Sequence, residues 1–138
     1  MKTLTRAIGA GLALAMSAGM AVAAPSDPTG IWQAEDGDSR YEISFCGDGT
    51  QLCAELIWIR PEVLTKYNKK YIGEDFLQGA KRRNEREWAG QIHMFGMSAS
   101  GVVTQYTPDI IRVRGCALVI VCESVVLTRY SESTAEAD

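Results

Sequence analysis

The sequence predicts an all-β protein, a small antiparallel up-and-down β-barrel closed at one end. Three observations carry this. Short runs of alternating apolar and polar residues are separated by clusters rich in Gly, Asp and Ser, the pattern of half-buried strands joined by turns. Four cysteines fall into two close pairs, each spanning a hairpin-sized segment. Gly30 and Trp32 open the first strand, and Arg129 closes the last.

The chain begins with a segment to be set aside before the fold is read. Lys2 and Arg6 precede an uncharged Ala, Gly, Leu and Met run over residues 7 to 20, and Ala21-Val22-Ala23 is a small-x-small site. This is the layout of a cleaved secretory signal peptide over residues 1–23, with the alternative of a retained apolar anchor disfavoured by its Ala/Gly content and cleavage site. Residues 24–130 are then expected to form one barrel domain, and 131–138, "SESTAEAD", a flexible tail. The expected address is the periplasm or the exterior, with no membrane span once the leader is removed. Without Lys2 and Arg6 the 14 basic residues fall to 12 against 17 acidic ones, a net charge of −5. Such a domain is a poor partner for nucleic acid, whose phosphates need a basic face.

The first hairpin is expected to turn at Gly47-Asp48-Gly49-Thr50. Setting Cys46 opposite Cys53 places Tyr41 against Trp58, Ile43 against Leu56 and Phe45 against Ala54 on an apolar face. Glu42, Ser44 and Glu55 share the other face. A one-residue slip would mix the two, so register and disulfide support each other. Export and an even cysteine count favour disulfides over metal chemistry, and no metal site or cofactor is implied.

Residues 61 to 88 follow, with clustered charge and little alternation. They are expected to form a long irregular crossing loop, with one helical turn near Glu62 to Tyr67 and a short strand near Phe76 and Leu77. Lys66, Lys69, Lys70, Lys81, Arg82, Arg83 and Arg86 give residues 66–86 an excess of positive charge. This is a candidate docking patch for an anionic envelope component, although a solvated loop is the plainer reading. "QIHMF" and "VVTQY" then flank "GMSASG" as a hairpin.

The last hairpin is read from "DIIRVRGCALVIVCESVVLTR". With Cys116 opposite Cys122, Ile111 meets Leu127 and Val113 meets Val125, while Arg112, Arg114, Ser124 and Thr128 take the other side. The same register puts Arg129 on the apolar face, opposite Asp109. A guanidinium there needs a partner, and Trp32 supplies one if the first and last strands meet at the seam of a closed barrel. Gly30, Trp32 and Arg129 are therefore assigned to barrel closure.

These residues resemble known families. Gly30-x-Trp32 with Arg129 is similar to the lipocalin and wider calycin pattern. "GIW", "FCGDGTQLCAELIWI", "FLQG", "EWAGQI", "IRVRGC" and a last Cys before "LTR" resemble the secreted bacterial family called domain of unknown function 2147. The resemblance runs from about residue 30 to 130 and implies an eight-stranded lipocalin-like barrel in a periplasmic setting. The chain departs from that family's pattern at "MFGMSASGVVTQY", which lacks an Asp-Pro and a Lys, and at Leu127, where a Trp is common.

No catalytic constellation is visible. His93 lies mid-strand, "EDGDS" lacks the spacing of a calcium loop, and "GDG" has no strand-to-helix context for phosphate. The sequence is read as a monomeric, non-enzymatic binding protein holding a small hydrophobic or amphipathic molecule. The candidate interior comprises Tyr41, Ile43, Phe45, Leu56 and Trp58 from the first hairpin, with Ile111, Val113, Val125 and Leu127 from the last. The alternatives are a filled barrel that works through the basic loop 66–86, or an enzyme of an unrecognised kind.

Overall fold

The computed structural model describes residues 27–118 and 121–132, together with positions 9, 11, 13–15 and 19. The expected cleavage site and residues 133–138 of the expected tail lie outside the described residues. Eight antiparallel strands, β1 (Gly30–Ala34), β2 (Ser39–Cys46), β3 (Gln51–Ile59), β4 (Asp75–Asn84), β5 (Glu87–Met94), β6 (Met97–Thr107), β7 (Ile110–Ala117) and β8 (Val121–Arg129), follow one another around a closed barrel. Each strand pairs with its sequence neighbour, and β1 pairs with β8 to close the sheet. Closure leaves no unpaired sheet edge.

Side-chain alternation assigns the two faces. Outward positions carry Arg40, Glu42 and Glu55 in β2 and β3, then Arg112, Arg114 and Ser124 in β7 and β8. A barrel built to span lipid presents an apolar band there instead. Among the described residues no helix is long and apolar enough to cross a membrane.

The β2–β3 hairpin has the expected turn but a different register. Residues 47–50 make the connection and Cys46 faces Gln51, so Tyr41 meets Leu56, Ile43 meets Ala54 and Phe45 meets Leu52. The offset from the Cys46–Cys53 alignment is two residues, which preserves the faces because side chains alternate with a period of two. The cysteines lie diagonally across the ladder and are still bonded, with Cα atoms 5.9 Å apart. A bulge between Arg40 and Tyr41 then reverses the outer part of β3. Trp58 pairs with Arg40 on the outside, which corrects its expected place in the interior. There the Arg40 guanidinium is stacked 3.8 Å from the Trp58 ring and 3.9 Å from the Tyr130 ring, and donates from Nε to Gln33 Oε1.

The irregular crossing is shorter than the sequence suggests. It ends at Glu74 and contains two 3-10 turns, Pro61–Val63 and Lys69–Tyr71, after which β4 is a full ten-residue strand. The β5–β6 connection also tightens, because Met94 pairs with Met97 and leaves only Phe95 and Gly96 between them. Both have positive φ, 52° and 76°, as a two-residue hairpin turn of type I′ requires. Most of "GMSASG" is therefore strand. In β7–β8 the register is as read: Cys116 faces Cys122, Val113 faces Val125 and Ile111 faces Leu127.

One end of the barrel is packed solid. Trp32 and Trp88 are fully buried there with Leu52, Ile43, Val103 and Ile111. Residues 27–29 cross this end, where Pro28 O accepts from Trp32 Nε1 at 2.9 Å and Asp27 O accepts from Gln105 Nε2 at 3.2 Å. Arg129 lies 4.4 Å over the Trp32 ring. It donates to Thr29 O and Asp27 O at 2.8 Å and to Pro108 O at 2.9 and 3.0 Å. Gly30 stands beside it with φ of 126°, and a Cβ there would come within 2.9 Å of the guanidinium.

Candidate ligand-binding cavity

The opposite end is hollow. Gly90, Gly101 and Gly115 sit on the inner faces of β5, β6 and β7 beside Ala80 and Ala99. A Cβ on Gly90 would meet the Ala80 backbone at 2.9 Å, and one on Gly101 would overlap the Ile92 side chain. Missing side chains thus let β4, β5 and Ile92 pack closely at mid-height, while above them the wall is thin. Large rings fill the floor, and Ala99, Gly115 and Ala117 add little side-chain bulk above it.

The resulting cavity has a volume of about 330 Å³. Tyr41, Phe76 and Leu127 lie at its base, and Tyr41 and Phe76 are edge to face with ring centroids 4.8 Å apart. Ile92, Met94 and Ala99 form one wall and Val113, Val125 and Ala117 another. Met97 and Val121 stand at the rim, where they are 68% and 54% exposed, and Val125 is 46% exposed. Apolar surface is left in contact with solvent here although the closed end shows that this chain can fill its interior. Burial pushes the Tyr41 phenol above its ordinary pKa, and the hydroxyl accepts a 3.0 Å hydrogen bond from Ser39 Oγ that partly offsets the shift.

A second, more polar hollow of about 290 Å³ adjoins the first and shares Phe76, Met94, Met97 and Ser98 with it. Glu74 contributes to it from the end of the crossing loop, Asp75 and Gln78 from the start of β4, and His93 from β5. His93 Nδ1 is hydrogen-bonded to Ser98 Oγ across the hairpin at 2.8 Å. The crossing loop is held against this hairpin. Tyr67 donates its hydroxyl to Phe95 O at 2.9 Å, and Tyr71 is edge to face on the Phe95 ring at 5.2 Å. Among the described residues no group of three or more His, Cys, Asp or Glu is gathered to hold a metal ion.

The candidate residues named from sequence divide into three groups. Tyr41, Val113, Val125 and Leu127 line the cavity. Ile43, Leu56 and Ile111 are packed in the core, with Leu56 also touching the second hollow. Phe45 and Trp58 are in neither. Phe45 shares the inward parity but sits at the closed end, 41% exposed, with its ring 6.4 Å from that of Trp88. Phe76, Ile92, Met94, Met97 and Ala99 also line the cavity and are absent from the candidates: Phe76 is expected only in a short strand, and the start of β6 is expected as a turn. Alternation in "QIHMF" was the available signal for Ile92 and Met94.

The basic residues do not form one loop patch. Lys66, Lys69 and Lys70 belong to the crossing loop at the open end, and Lys70 Nζ lies 4.9 Å and 5.1 Å from the Tyr67 and Tyr71 rings. Lys81, Arg82 and Arg83 are at the far end of β4, and Arg86 is in the turn beyond it, donating to Tyr106 O. A strand of ten residues spans roughly 30 Å, so the two groups are divided between opposite ends of the barrel.

Over residues 30–129, β1 through β8, the chain matches the family described as "Uncharacterized protein conserved in bacteria (DUF2147)". The chain belongs to this family. Its fold is also that of a solved structure from Helicobacter pylori described as belonging to the lipocalin family, with a TM-score of 0.61 over 81% of this chain and 88% of that one. The two are 15% identical, so the likeness is one of fold. No curated protein matches the chain. The DUF2147 match and the lipocalin-like barrel together agree with the resemblance read from Gly30, Trp32, Arg129 and the cysteine segments.

Proposed function

We propose that this DUF2147 protein is an exported, non-enzymatic carrier or sensor that holds one small hydrophobic or amphipathic molecule in the open half of its barrel. The observation that carries this reading is the apolar cavity of about 330 Å³, open to solvent above a floor sealed by two tryptophans. That volume is at the small end of ligand pockets, in keeping with the single small molecule that an eight-stranded barrel can admit. Two disulfides support an extracytoplasmic setting, and the leader pattern refines it to the periplasm or the exterior. The surface alternative loses support from the separation of the basic residues. Catalysis has little support from the exposed His93–Ser98 pair, which sits at a hairpin tip.

Titration of the purified protein with the neutral apolar fluorophore N-phenyl-1-naphthylamine tests the reading. Saturable one-to-one binding is expected, and Val125→Trp, which fills the cavity from β8, should weaken it at least tenfold without lowering the melting temperature. Absence of binding to the unaltered protein, or equal binding to the filled variant, would contradict it.

A further inference from the structure

We infer that the cavity selects amphiphiles with a cationic head over those with a carboxylate. This rests on the binding role proposed above and names the class of ligand. The deciding residue is Glu123, which lines the cavity at its mouth. In the β7–β8 ladder Glu123 faces Gly115, two positions from the Val113–Val125 pair and on the same inward column as Val125 and Leu127. A Cβ on Gly115 would point at Ala99 and Ile92, each 3.7 Å away, which fixes this register position as inward. The glutamate therefore has no facing side chain to occupy the space in front of it. It makes no ion pair with any described residue.

The residues that line the two hollows supply the same sign of charge, the crossing-loop lysines Lys66, Lys69 and Lys70 lying outside both linings. Glu74 and Asp75 line the adjoining hollow, and neither hollow is lined by Lys or Arg. The nearby arginines of β7, Arg112 and Arg114, alternate with Val113 and so face outward, where Arg112 donates to Ser124. Lys70 is placed over the Tyr67 and Tyr71 rings. A fatty carboxylate seated in the cavity would bring its charge toward Glu123 with no counter-charge, whereas an ammonium head would meet one. Glu123 is exposed, so the expected discrimination is modest, about fivefold for one solvent-screened pair.

The test displaces N-phenyl-1-naphthylamine with decylammonium, decanol and decanoate at pH 7 and low salt, each below its micelle concentration. Decylammonium should bind about fivefold more tightly than decanol, and decanoate more weakly than either. Glu123→Gln should remove most of the preference for decylammonium while leaving decanol affinity unchanged. Glu42→Gln, an exposed acid on the outer face of β2, should leave all three unchanged and so excludes a general effect of the acidic protein. Decanoate binding as well as decylammonium, or a preference that survives Glu123→Gln, overturns the charge inference alone. Failure of all three to displace the fluorophore overturns the cavity reading with it.

Discussion

Arg129 joins three pieces of chain that are far apart in sequence: the segment before β1, the β6–β7 turn and the end of β8. Its guanidinium satisfies carbonyls of Asp27, Thr29 and Pro108 while stacking on Trp32, and its fork geometry is what makes all of these possible at once. A lysine has one compact charge and cannot reproduce them. Arg129→Lys should therefore cost about 2 kcal/mol in denaturant unfolding, and Arg129→Ala about 3 kcal/mol. Tyr41 gives the residue scale a pH dependence. Its folded pKa is raised above 10.0, chiefly by burial, so its contribution to stability is fully present below that value and is lost as the pH climbs through the folded pKa. On the alkaline side, unfolding free energy should fall beyond about pH 10, and Tyr41→Phe should flatten the fall. Arg129 was legible in the sequence because a charge on an apolar strand face demands a partner. Trp58 was not, because nothing in "LIWI" marks the bulge that turns it outward against Arg40 and Tyr130.

Hairpins are the units in which this barrel is stapled. Each disulfide closes a short loop, Cys46 to Cys53 and Cys116 to Cys122, and constrains the unfolded chain locally. Replacing either pair by serine should cost roughly 2 to 3 kcal/mol, visible as a lower melting temperature, and the two losses should add. Both hairpins were readable because alternation and cysteine spacing had to agree, and a two-residue error in the first left every face intact. Only the start of β4, near Phe76 and Leu77, is legible, and its ten-residue extent is not, for a physical reason. Register shifts against both β3 and β5 bury Phe76 and Leu77 in succession and break the period of two, and "KRRN" then follows on an exposed edge of the pattern. The β5–β6 turn was missed because one of its two positive-φ positions is Phe95, a residue that gives no turn signal. The start of β6, read as a turn, supplies Met97, Ser98 and Ala99 to the cavity wall.

At the scale of the whole molecule, the barrel is divided into a sealed half and a hollow half. Trp32, Trp88 and the segment 27–29 close the floor, while Ala99, Gly115 and Ala117 add little bulk to the wall of the hollow half. An eight-stranded barrel is the size at which side chains can either fill the interior or leave room for one ligand, and this chain does one at each end. Family membership and barrel closure were legible from residues at the seam and the cysteine loops. The hollow was not, because it depends on how residues from β2, β4, β5, β6, β7 and β8 come together around one space. The measurement that tests the central claim most directly is native mass spectrometry of the protein purified without detergent from the cells that make it, followed by organic extraction of the bound fraction. A stoichiometric small apolar or amphipathic adduct, absent from Val125→Trp, is the expected result. A mass equal to that of the bare chain, together with no binding of N-phenyl-1-naphthylamine, would contradict the account.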